Sequence, residues 1–107
     1  MNKENTILLN LFDNYILSKK DENFFSDISI RFLVFADTLS TSRKIKLVIA
    51  YFRFITKNFE VIKAYPRFRR SNWFSVAINK AKTFQKHVSN IEDKKVFRKF
   101  LLVAKNM

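Results

Sequence analysis

The 107-residue chain has no glycine, no cysteine, and one each of proline, histidine and tryptophan. Each scarcity closes a class of function. Without glycine, a phosphate-cradling P-loop or a dinucleotide-binding turn cannot be built in its usual form. Without cysteine there is no disulfide framework and no thiolate metal site, and the redox compartment stays open. His87 lies between Lys86 and Val88 in a cationic segment, which suits a solvent- or phosphate-facing residue better than a general base. No H-x-x-x-H spacing supports a metal. Glu92-Asp93, the only acidic pair after residue 40, reads as a helix N-terminal pair. No catalytic residue, metal, cofactor or small-molecule substrate is therefore expected. No apolar run approaches the roughly 20 residues of a membrane span, and Met1 to Asn5 reads as an untargeted start.

What is present is aromatic and basic. Hydrophobic residues make up 48% of the chain, thirteen of them Phe, yet the net charge is +12. That is too apolar for disorder, and so large a self-repulsion asks for a polyanionic partner. The charge is also lopsided. Residues 1–40 hold four Lys/Arg against six Asp/Glu, and residues 41–107 hold seventeen against three, so the balance moves from −2 to +14. One end suits protein or solvent and the other phosphate. The excess of Lys, Asn, Phe and Ile matches AT-rich codons, which points to an organellar, endosymbiont or phage genome.

The densest cationic stretch runs from Tyr65 to Phe74 and includes Pro66, Arg67, Phe68, Arg69, Arg70 and Trp73. Clustered guanidiniums must stay hydrated, so the segment reads as a projecting loop. Arginine offers a planar fork for phosphate, and Tyr65, Phe68 and Trp73 offer faces for an unstacked base, a pairing better suited to irregular RNA than to a DNA groove. Around it stand Lys63, then Lys80, Lys82 and Lys86, then Lys94, Lys95, Arg98 and Lys99. Lysines at this density neutralise backbone phosphates without reading sequence.

Periodicity predicts an amphipathic helix over residues 3–19 from Ile7, Leu8, Leu11, Phe12, Tyr15 and Ile16, then a polar break over 21–26. Alternation of Ile28, Ile30, Phe32 and Val34 predicts a strand, with a short helix as the competing assignment. Ile45, Val48, Ile49, Phe52, Ile55 and Phe59 predict a second helix, capped by Ser40, Thr41 or Ser42. Residues 59–64 and 73–78 read as paired strands, because Pro66 breaks a helix there. Residues 80–107 are open between helix and strand.

In this order the residues resemble the S-ten family of small-subunit ribosomal proteins. Asp27 to Phe35 is similar to that family's opening strand, Ile45 to Phe54 to its first helix, Pro66 to the entry of its RNA-penetrating loop, Phe74-Ser75-Val76 to the loop's return, and Lys94 to Val103 to the strand that follows. The family's glycine-proline run before the loop is absent, and its second helix and last strand have no counterpart. The resemblance implies an α+β fold, a small ferredoxin-like sheet with helices on one face, here with an extra N-terminal amphipathic helix and a protruding basic hairpin loop. It also implies no catalysis, and a place in the head of the small subunit against ribosomal RNA and neighbouring ribosomal proteins.

The expectation is thus one domain, 1–107, with an N-terminal helical extension (1–26) and a basic RNA-binding α+β core (27–107) carrying loop 65–73. The expected RNA contacts are Lys63, Tyr65, Arg67, Phe68, Arg69, Arg70, Trp73, Lys80, Lys82, Lys86, Lys94, Lys95 and Arg98. Taken with the resemblance, the AT-rich composition suggests a mitochondrial, organelle-made member of that family, with the cytoplasm of an AT-rich microbe as the alternative. The other functional readings are a small DNA-binding or phage regulatory protein and an accessory subunit of a large organellar complex.

Overall fold

The clearest helical spacing in the chain, residues 45–55, lies at the centre of the fold. A computed structural model describes residues 3–36 and 42–105, with the side chains of 6–33, 45–68 and 70–105. Helices α1 (Lys3–Asn14), α2 (Glu22–Ala36), α3 (Ser42–Lys57), α4 (Phe59–Ile62), α5 (Pro66–Arg69), α6 (Trp73–His87) and α7 (Ile91–Lys105) follow in order, with a 3-10 turn at Lys19–Asp21 ahead of α2. In α3 the six consecutive residues from Leu47 to Phe52 are all buried. A helix apolar all round at one level must be surrounded, and α1 and α7 both pack on it.

Aromatic rings carry the core outward from α3. Phe12 of α1 is 1% exposed and lies 5.3 Å from Tyr51 and 5.4 Å from both Phe32 and Phe54, centroid to centroid. Phe52 meets Phe97 at 5.4 Å and Phe100 at 4.8 Å on α7. These tilted and edge-on contacts add to the area each ring buries. The link from α1 to α2 is fixed by polar groups. Leu17 N donates to the buried Asn58 Oδ1 at 2.9 Å, and Asn58 Nδ2 donates to Phe54 O at 2.9 Å. Ser18 and Asp21 form a reciprocal capping box, and the Ser18 N–H bond holds the Asp21 carboxyl below its ordinary range.

The sheet expected from the sequence is not formed: among the described residues there is no strand. Residues 28–35 lie inside α2, because Phe25, Ser29, Phe32 and Leu33 form a buried stripe at i, i+4, i+7 and i+8, while Ile30, grouped with Phe32 on one face of the expected strand, is 56% exposed. The expected polar break at 21–26 supplies that helix's first turn, so the boundary at residue 26 falls within α2. Residues 59–64 are α4 and a turn. Residues 73–78 open α6, whose buried stripe Trp73, Ala77, Ala81 extends past the stretch read as a strand. Pro66 does not end a helix. It starts one, at the first position of α5, after an extended Tyr65 (φ −72°, ψ 112°).

The N-terminal helix stops at Asn14 and packs on α3; among the described residues there is no sheet face for it to cover. Leu17 takes the buried place expected for Ile16, which is 73% exposed. Ser40 and Thr41, named as caps for α3, lie outside the described residues. Residues 91–105, left open by the sequence, are helical, with Asn90 Oδ1 accepting from Glu92 N at 2.8 Å. The lack of glycine is consistent with the backbone: no described residue has positive φ.

Candidate nucleic-acid interface

The stretch from Tyr65 to Trp73 folds as a tight corner rather than a protruding hairpin. Its aromatics point inward: Tyr65 and Phe68 are each 2% exposed and Trp73 is 5% exposed. Phe68 packs 4.5 Å from Phe25 and 4.6 Å from Trp73. Trp73 Nε1 donates to Tyr51 Oη at 3.0 Å, and Tyr65 Oη donates to Ser18 O. None of the three presents a face to a base in this conformation. Segregation of the two residue types explains it, since the one-turn helix α5 turns the Phe68 ring to the core and leaves Arg67 in water. Glu22 Oε2 accepts from Arg67 N at 2.9 Å and Phe68 N at 3.2 Å, tying the corner to the start of α2.

Burial acts on the tyrosines accordingly. The Tyr65 hydroxyl is pushed up to about 12 by desolvation, with the Asp21 and Glu22 charges adding to it. Desolvation drives Tyr51 well above the ordinary tyrosine value, against the opposing effect of its polar neighbours Ser29 and Trp73. Ser29 Oγ is close enough to influence that ionisation, yet it is buried without an aligned hydrogen bond.

The cations divide into two groups. At the corner, Arg67 and Arg70 are exposed, Lys63 Nζ pairs with Glu60 at 2.8 Å, and the side chain of Arg69 lies outside the described residues. The second group sits where α6 turns into α7. The link 88–90 is too short for anything but an antiparallel pair, and the two helices pack together. The C-terminal half of α6, with Lys80, Lys82 and Lys86, therefore runs beside the N-terminal half of α7, with Lys94, Lys95 and Arg98. Lys82, Lys86, Lys95 and Arg98 are exposed, and Lys80 and Lys94 are half-buried. The only carboxylates on these two helices are Glu92 and Asp93, and Glu92 already pairs with Lys95 at 3.2 Å. Helix α6 separates corner from hairpin end by ~20 Å at 1.5 Å per residue, so the residues expected to form one finger form two patches.

Arg53 and Lys57 of α3, outside the expected set of contacts, are also exposed cations. Their i, i+4 spacing on a predicted helix was the available signal. Among the described residues no three His, Asp or Glu side chains gather into a metal-holding group, and no helix is long and apolar enough to cross a membrane. Compared with known proteins, the chain matches no family model, no curated protein and no solved structure.

Proposed function

We propose that this chain is a non-catalytic RNA-binding protein of a ribonucleoprotein particle, with the ribosome as the first setting to test, and that it holds folded RNA through backbone phosphates. The observation that carries this reading is the α6–α7 hairpin end, where two packed helices carry six of the expected cations and only two carboxylates, one of them already paired. The burial of Tyr65, Phe68 and Trp73 removes base stacking from the mechanism, leaving charge neutralisation with little sequence readout. Folded RNA fits better than straight duplex because the exposed cations lie on α3, the α5 corner, α6 and α7 rather than along one recognition helix. Phosphates that approach from several directions are a property of folded RNA. The acidic end, where Tyr15, Phe24 and Ile16 are exposed, is the side left for protein neighbours.

The all-helical fold gives a second reading some weight: a small duplex-DNA-binding protein with α7 as its groove-facing element. The two separate on one experiment. Full-length protein is titrated with folded ribosomal RNA and with duplex DNA of equal phosphate number across salt. We expect preference for the RNA and a log–log slope of about −4 to −6, from six phosphates at ~0.7–0.9 each. A flat salt response would refute phosphate binding, and tighter binding to one duplex sequence would favour DNA. Co-sedimentation with ribosomal particles at low salt and release at high salt would identify the particle.

A further inference from the structure

Helices α3 and α7 pack along the aromatic seam Phe52–Phe97–Phe100, and above that seam they leave an open groove of about 400 Å³. Its walls carry two cation pairs at i, i+4, Arg53 with Lys57 on α3 and Lys95 with Lys99 on α7, alongside Glu92 and Asp93. Like charges at that spacing destabilise a helix, and here two such pairs share one concavity. Lys95 is matched by Glu92 at 3.2 Å. Lys57 Nζ donates to the Asp13 carbonyl oxygen at 3.3 Å, a neutral acceptor that leaves its charge uncompensated. Arg53 and Lys99 have no ion pair or side-chain hydrogen bond among the described residues. Three cations thus share the groove with one uncommitted carboxylate, Asp93.

We infer that this groove is a subsite for a single phosphodiester of the RNA backbone, an inference that rests on the RNA-binding reading above. Arg53 would supply the planar fork that suits two phosphate oxygens, and Lys99 a point charge from the facing helix. Cations from two facing helices line one concavity, so their fields add inside it and a phosphate there meets more than one of them. The site shares Lys95, Glu92 and Asp93 with the hairpin-end patch and adds the cations of α3, and so fixes the angle at which RNA meets the central helix.

The test compares the full-length protein with R53Q/K99Q and with K82Q/K86Q, in binding folded ribosomal RNA across salt. Two groove charges engaging one phosphate predict that R53Q/K99Q lowers the log–log slope by about 0.7–0.9 and weakens binding several-fold at low salt. The same variant should melt about a degree or two higher at low salt without RNA, because a repulsion has been removed. A groove variant with the wild-type slope, where K82Q/K86Q reduces it, would overturn the subsite and leave the RNA reading standing. Absence of salt-dependent RNA binding by the wild type would overturn both. If R53Q/K99Q left RNA binding intact but abolished binding to vesicles rich in phosphatidylserine, the groove would be a lipid contact and the inference would fail.

Discussion

Trp73 separates a core role from a recognition role, and Trp73→Leu is the substitution that does so. In the structure the indole is 5% exposed, lies 4.6 Å from the Phe68 and Phe74 rings and 5.6 Å from Phe25, and donates to Tyr51 Oη at 3.0 Å. Leucine is smaller by roughly 60 Å³, and at ~24 cal/mol per Å³ of residual cavity this costs about 1.5 kcal/mol. Loss of the hydrogen bond to a buried hydroxyl adds about 1 kcal/mol. The sum, about 2–3 kcal/mol, should lower Tm by ~10–20 °C in a domain of this size, as read by the loss of helical circular dichroism. Affinity for RNA, measured by anisotropy of labelled RNA below the variant's melting range, should change less than about twofold, a few tenths of a kcal/mol. A base-stacking tryptophan would instead lose ~1–3 kcal/mol of binding with little change in Tm. That pattern would refute the inward placement of the corner.

Three further outcomes are expected. Asn58→Ala strands the Leu17 N–H and removes the bond to Phe54 O, while Asn58 N still donates to that carbonyl; denaturant unfolding should show a loss of about 2–3 kcal/mol, and a loss under about 0.5 would contradict the link. Ser29→Ala removes a buried hydroxyl without an aligned partner from the interior of α2 and should be neutral or stabilising by up to about 1 kcal/mol; a clear destabilisation would mean that Ser29 is bonded to Tyr51. The sign of the tyrosine shifts fixes an alkaline transition. Tyr65 is raised from 10.0 to about 12 and Tyr51 is raised as well, so the stability they contribute is complete below pH 10 and declines as pH rises from there towards 12. The tyrosinate absorbance of these two should appear together with unfolding, and titration of all three tyrosines in a folded protein would contradict it.

The central helix was legible from sequence because apolar residues there recur at both i+3 and i+4 over several turns. Helix α2 was not, because Ile28, Ile30 and Phe32 alternate by coincidence, and Phe25, which continues the helical stripe, lies in a stretch whose other residues read as a polar break. Helix α6 was missed for a related reason. Its buried stripe runs through Ala77 and Ala81, small residues that carry little hydropathy signal yet allow close packing. The cations of the hairpin end were readable from charge alone, since density of lysine survives any choice of secondary structure. The inward turn of Tyr65, Phe68 and Trp73 was not, because an arginine–aromatic segment has the same sequence whether its rings face a base or a core, and only the neighbouring Phe25 and Tyr51 decide it.

Amide and indole chemical shifts of the full-length protein, followed as folded ribosomal RNA is added at low salt, test the account most directly. The largest changes should fall on residues 80–99 across the α6–α7 turn and the α3 face, with the Trp73 indole N–H unmoved. Changes centred on α1 and α2, or a shifted Trp73 indole with a silent hairpin, would contradict it.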